Sequence, residues 1–261
     1  YFSQSARNDY YLFVFNKLLK AALFPVVILA MAPIAIAVST AIENTFGAIE
    51  YLQLSSSSVM IIFTLLLFIV DDLSRFLLHY LLHKIPLLWE FHKVHHSARV
   101  LTPFTIYRSH PIESYLYACR MALTQGFVVG VSYYFLGPTL KMIDIVGANI
   151  FVFAFNIMGS NLRHSHIWLS WGDKVEQWFI SPAQHQIHHS DNVKLFDKNF
   201  GSALAIWDKM AGCLVNASNV KNLSIGLGKQ TAEHDKLMNI YFSPFKHAWR
   251  LIIKKIKITS K

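Results

Sequence analysis

The chain has 261 residues, 54% of them hydrophobic and 15% charged, with a mean hydropathy of +0.36. Globular chains run at about 45–50% apolar and about 25% charged, so this composition excludes intrinsic disorder and fits a soluble single domain poorly. Two cysteines, Cys119 and Cys213, are too few for a disulfide framework or a Cys-rich zinc site, and the net charge of +9 is concentrated late: from Lys194 onward there are 12 Lys/Arg and 4 Asp/Glu, a surplus of +8.

Several apolar stretches approach the ~20 residues that cross a bilayer, and four spans are expected. The first covers 10–38 and contains Pro25 and Pro33, which membrane helices tolerate. The second covers 59–82 and opens with VMIIFTLLLFIV. The third (114–136) and fourth (139–161) flank Gly137-Pro138 as a helical hairpin. Residues 40–57 carry Glu43 and Glu50 but no Lys or Arg, whereas Arg7, Lys84, Lys93, Arg99, Arg108, Arg163 and the basic tail fall on the other side. The positive-inside rule therefore places both termini and the 83–113 loop in the cytoplasm.

Residues 164–242 have mixed composition and are expected to form a cytosolic cap of short helices. The end, 243–261, sets Phe245, Trp249, Ile252, Ile253 and Ile256 on one helical face, with most of its Lys and Arg elsewhere. That pattern describes an amphipathic basic helix lying in the headgroup region. A basic tail on apolar segments reads as a lipid-facing surface; no nucleic-acid-binding motif accompanies the charge. The expected fold is all-α: one domain over 1–261, an integral membrane bundle of about four transmembrane helices with a cytosolic helical cap.

Eleven of the 13 histidines fall between positions 79 and 189, and they are grouped. The groups are His79-Tyr-Leu-Leu-His83, His92-Lys-Val-His95-His96, His164-Ser-His166 and His185-Gln-Ile-His188-His189, with His110 alone in Arg-Ser-His-Pro. On a helix, positions i, i+3 and i+4 share a face about 5–6 Å apart, so their imidazoles can converge on a metal. Burying such groups without metal would strand polar nitrogens at about 1–3 kcal/mol each. Topology agrees, since the second span delivers His79 and His83, and the fourth delivers His164, to the cytoplasmic interface where the HxxHH groups lie. Nine imidazoles exceed the needs of one ion and suit two. Neutral imidazole accepts iron, copper, zinc or nickel, and an all-His pair with open positions points to redox chemistry with iron.

On these motifs the chain resembles the fatty acid hydroxylase/sterol desaturase superfamily of integral-membrane di-iron oxygenases. The resemblance runs from Asp71 to Leu214 and rests on LLHYLLHKIPLLWEFHKVHHS, RSHPIE, RHSHIWLSWG and SPAQHQIHHSDNVKLFDKNFGSALAIWDKMAGCL. It implies cytosol-facing histidine boxes and O2-dependent hydroxylation or desaturation of a lipid such as a sterol or fatty acyl chain. The family's ligands fall on His79, His83, His92, His95, His96, His164, His185, His188 and His189, with His110 and His166 as secondary candidates. The closing motif departs mildly, reading Trp207-Asp208-Lys-Met-Ala-Gly212-Cys213.

Asp72, Glu90, Glu113 and Asp191 are candidates for orienting the imidazoles, and Phe151, Phe153 and Phe155 for lining a path for lipid. The implied cofactors are two iron ions (Fe2+/Fe3+) with O2 as co-substrate, zinc being acceptable to the same ligands in purified material. No haem segment or flavin fingerprint is evident, so electrons are expected from a separate ferredoxin or cytochrome b5 type donor with its reductase, attracted by the basic surface. A bacterial inner membrane is preferred to the endoplasmic reticulum as location. The competing functions are a histidine-rich metal transporter or store, and a non-oxidative relative that keeps the metal site.

Overall fold

The computed structural model describes residues 3–137, 140, 147 and 162–259. Among the described residues six helices carry the architecture: α1 (Gln4–Phe46), α2 (Ser56–Lys84), α3 (Pro86–His96), α4 (Pro111–Leu136), α5 (Pro182–His188) and α6 (Leu237–Thr259). Single-turn helices and 3-10 segments link them, and among the described residues there is no β-strand, only two isolated bridges. The all-α expectation is met. The segments expected as the first three spans are helical, within α1, α2 and α4, but among the described residues only α1 is long and apolar enough to cross a membrane. Pro25 and Pro33 both lie inside α1, which is helical through them. Apart from residues 140 and 147, the fourth expected span lies outside the described residues, as do Phe151, Phe153 and Phe155.

The chain divides into two compact units. One comprises Lys20–Arg75 and Leu116–Met158. Its core is Val59, Phe63, Leu67, Val128, Leu136 and Leu140. Gly126 and Gly130, one turn apart on α4, allow a close helix crossing: a Cβ at Gly126 would stand 2.6 Å from the Ile34 side chain, and one at Gly130 would stand 2.5 Å from the Ala35 carbonyl oxygen. Between Lys20 and Glu43, α1 has no ionisable residue. It is long and apolar enough to cross a membrane, and it exposes Leu29 and Ile36. A polar knot sits in this apolar setting, where Asp71 accepts from Arg75 (2.7 Å) and Arg120 (2.8 Å). Asp72 is buried in the same unit.

The other unit comprises Tyr1–Leu19, Phe76–Tyr115 and Gly159–Lys261. Here the start of α1 is pinned by polar contacts. The buried Arg108 guanidinium pairs with Asp9 at 2.7 Å and donates to Ser97 and Ser5, while Asn16 donates to the Tyr107 and Ser109 carbonyls. A charge pair removed from water holds only with good geometry and further hydrogen bonds, and Arg108 has both. Leu12, Val94 and Ile240 pack α1, α3 and α6 together.

Candidate metal centre

Local sequence signals set the histidine-bearing helices. α3 opens on Pro86, whose fixed φ suits a first helical turn. One face of α3 then presents His92, His95 and His96, and the opposite face gives Val94 to the α1–α6 core. α5 opens on a reciprocal capping box: Ser181 Oγ accepts from Gln184 N (3.1 Å) and Gln184 Oε1 accepts from Ser181 N (3.0 Å). Ser-Pro-Ala-Gln therefore starts the turn that carries His185, His188 and His189. Gln186, on α5 between these histidines, donates to the Ser165 and Ile167 carbonyls and so holds the His164 turn beside the helix.

The nine boxed histidines fall into two groups. His79, His83, His92, His96 and His188 form one; His95, His164, His185 and His189 form the other. Within each group one ring nitrogen per residue lies within 4.8 Å of all the others. The groups adjoin, with the His96 and His189 rings stacked at 4.5 Å. The closest Nε2–Nε2 separations are 3.1 Å for His83–His96, 3.1 Å for His95–His164, 3.0 Å for His164–His185 and 3.3 Å for His185–His189. Nitrogens about 2.1 Å from one metal, at angles of 90–109°, stand about 3.0–3.4 Å apart, and a trans pair stands about 4.2 Å apart. The four separations above, one in the first group and three in the second, fall in that range.

The other ring nitrogens of five of these histidines fix their tautomers. A carbonyl or carboxylate oxygen can only accept. His79 Nδ1 donates to Phe200 O (2.8 Å), His95 Nδ1 to Arg108 O (3.2 Å), His188 Nδ1 to Lys198 O (2.8 Å) and His92 Nδ1 to Glu113 Oε1 (3.0 Å). His83 Nδ1 faces Asp197 at 3.4 Å. In each, the proton therefore resides on Nδ1 and Nε2 turns a lone pair inward. The Nε2 atoms of His79, His92 and His188 are buried without a hydrogen-bond partner.

Electrostatics agrees. Burial first, and neighbouring imidazoles second, hold His92, His96, His185, His188 and His189 well below the usual histidine range, so they are neutral near pH 7. His95 is shifted the same way, again by burial first. The donor set is nine imidazoles with no thiolate or carboxylate among them, which suits a borderline transition-metal ion.

Several orienting groups carry no histidine-like signal in sequence. The 197–200 turn supplies two of the accepting carbonyls. Asp197 and Asn199 take positive φ there (59° and 55°), which short polar side chains tolerate. Asp208, buried, accepts from Phe200 N (2.6 Å) and Gly201 N (2.7 Å), and Asn199 ties the turn to Gln184 O and Val215. A Cβ at Gly201 would meet Asp208 Oδ2 at 2.7 Å, so glycine is needed for that approach. Asp197 also accepts from Lys84, and its carboxyl is lowered to about 2, mainly by its hydrogen bond with His83. Phe200, fully buried, lies against His79, His83 and His188, and Trp89 covers His83 and His96.

Not every candidate joins the centre. His110 lies outside both groups: Nε2 donates to Tyr241 O and Nδ1 accepts from Ile112 N, which ties α4 to α6. His166 is exposed and also outside them. Both nitrogens of His110 are already used in this way, and His166 is exposed although its neighbour His164 is buried. Of the four carboxylates, Glu113 meets a histidine of the centre. Glu90 pairs with Lys93 and His247, and Asp191 accepts from Ser224.

A family model described as "Fatty acid hydroxylase" matches residues 64–213, more than half of the chain and the stretch that contains all nine histidines. Similar curated proteins include an alkylglycerol monooxygenase of Danio rerio (28% identical, over 59% of this chain and 31% of the relative). Others are the ornithine lipid hydroxylase OlsE of Rhizobium tropici (28%, over 63% and 45%) and a lathosterol oxidase of Rattus norvegicus (26%, over 57% and 43%). The chain spans less than half the length of each. No solved structure matches it at a comparable level.

Proposed function

The chain belongs to the fatty acid hydroxylase family, and we propose that it is a membrane-embedded oxygenase that hydroxylates a C–H bond of a lipid at a two-iron centre. The convergence of nine imidazoles in two adjoining groups, with the Nε2 atoms of His79, His92 and His188 buried and without a hydrogen-bond partner, carries this reading. His79, His83, His92, His96 and His188 would hold one ion, and His95, His164, His185 and His189 the other. The metal pair would supply an oxidant, made from O2 and two external electrons, strong enough to break an unactivated C–H bond. The balance is one C–H converted to C–OH, the second oxygen atom leaving as water, with two electrons and two protons taken up.

The chain's own residues supply orientation and shelter. The Phe200, Lys198 and Arg108 carbonyls and the Glu113 carboxylate keep protons on Nδ1, leaving each Nε2 free for metal. Phe200 and Trp89 exclude water from the first group, which favours neutral imidazole and protects a strong oxidant. We place the remaining spans, both termini and the cap as the positive-inside rule directs, with the centre facing the cytoplasm of a bacterial inner membrane; the Rhizobium tropici relative supports a bacterial setting. The relatives' names point to lipids bearing a polar group as the substrate class. A separate acidic donor of ferredoxin or cytochrome b5 type, docking on the basic face, would deliver the electrons. Nine ligands gathered in one place, rather than strung along a path, favour catalysis over metal transport.

The test is lipid profiling of a host expressing the wild type or His188→Ala under isotopically heavy dioxygen. The reading expects a lipid that gains one heavy oxygen atom with the wild type alone. Iron-loaded, donor-supplied protein that labels no lipid would overturn it.

A further inference from the structure

Helix α6 has three faces. The inner one packs on the unit's core: Ile240 and Ala248 are buried, Ile240 meets Leu12 and Val94, and His247 reaches Glu90 of α3 at 3.2 Å. The second carries Met238, Phe242, Phe245, Trp249, Ile252 and Ile256 at spacings of four and three, which a helix stacks into one stripe. All six are exposed, from 39% at Ile252 to 66% at Met238. The third carries Lys246, Arg250, Lys254 and Lys257, also exposed. At about 100° per residue the basic row lies roughly 115° from the apolar stripe. α6 has five Lys/Arg and no Asp or Glu. Arg250, Lys254 and Lys257 border an open groove with Ile253 and Ile258.

We propose that α6 docks on an anionic lipid surface, with its apolar stripe in the acyl boundary and its basic row on headgroup phosphates. The boundary between headgroups and chains meets both demands at once. An acidic protein would satisfy the cations but leave six large apolar side chains in water. Because the opposite side of α6 packs on α3, which bears His92, His95 and His96, docking also ties the histidine helix to the bilayer surface. The proposal needs a bilayer around the chain, and it depends on neither the metal nor the reaction.

Trp249 gives the readout. Full-length protein is placed in phosphatidylcholine vesicles with or without phosphatidylglycerol, both containing brominated lipid, and Trp249 quenching is taken as the difference between the wild type and Trp249→Phe. The expected result is strong quenching in anionic vesicles, weakened by high salt and by combined Lys246→Gln, Arg250→Gln, Lys254→Gln and Lys257→Gln, with the docked-to-undocked ratio falling about fivefold per neutralised cation. Salt on the wild type reads the same dependence should the fourfold variant misfold. No quenching, or quenching indifferent to lipid charge and salt, would overturn the proposal. So would shielding of Trp249 by a second copy of the chain or by an added acidic redox protein.

Discussion

Glu113 gives a quantitative test of how the centre is held. Its Oε1 accepts from His92 Nδ1 at 3.0 Å, and the two side chains are only 5% and 2% exposed. A hydrogen bond to a charged partner contributes about 1.5–3 kcal/mol, and one between neutral groups about 0.5–1.5. Glu113→Gln keeps an accepting oxygen but loses the charge, a cost of about 1 kcal/mol, or roughly fivefold in affinity for an ion bound through His92. Glu113→Ala removes the acceptor and frees the ring to rotate. The cost is then about 1.5–2.7 kcal/mol, the 10–100-fold range seen when such outer partners are removed. The assay is metal retained per chain during titration with a competing chelator, with the melting temperature of the metal-free protein as the control for folding. Retention in Glu113→Ala equal to the wild type would refute the reasoning, because His92 would then be positioned by something else or would bind no metal.

Other consequences follow from the same contacts. His188→Ala and His185→Ala each remove a ligand from a different group, so each should lower the metal content from about two to about one per chain, and the double variant should approach zero by elemental analysis. Asp208→Ala strands the buried Phe200 and Gly201 amides; at about 1–3 kcal/mol per amide, denaturant unfolding should show a loss of about 2–6 kcal/mol. Acid should weaken both metal retention and the metal-free fold. Histidines of the unfolded chain take up protons below about pH 6.5, while burial keeps His92, His185 and His188 from doing so and holds His234 at about 4. The melting temperature should be flat above about pH 7 and fall as pH drops below about 6.5; a rise on acidification would contradict this.

Side-chain pattern made much of the centre legible, and backbone geometry hid the rest. HxxxH and HxxHH announce themselves because helical spacing alone brings i, i+3 and i+4 together, and the eight histidines so marked join His164 in the two groups the fold gathers. The apolar runs of α1, α2 and α4 were equally visible, since each depends on neighbours within one element. What orients the rings was not. The carbonyls of Arg108, Lys198 and Phe200 belong to every residue alike and acquire a role only when a turn aims them. Asp197 stands 114 positions from His83 in the chain and meets it only through tertiary packing. Glu113 could be nominated but not separated from Asp72, Glu90 and Asp191, because nothing local distinguishes a carboxylate that will face an imidazole from one that will face a lysine. His110 and His166 looked similar in sequence for the same reason, yet one became a strut between helices and the other an exposed residue.

Anomalous scattering at the iron edge from crystals of iron-loaded protein would examine the assignment at its root. Two peaks are predicted, one among His79, His83, His92, His96 and His188 and one among His95, His164, His185 and His189, each within about 2.3 Å of several ring nitrogens. A single peak elsewhere in the molecule, or none with iron present in the crystal, would contradict the account.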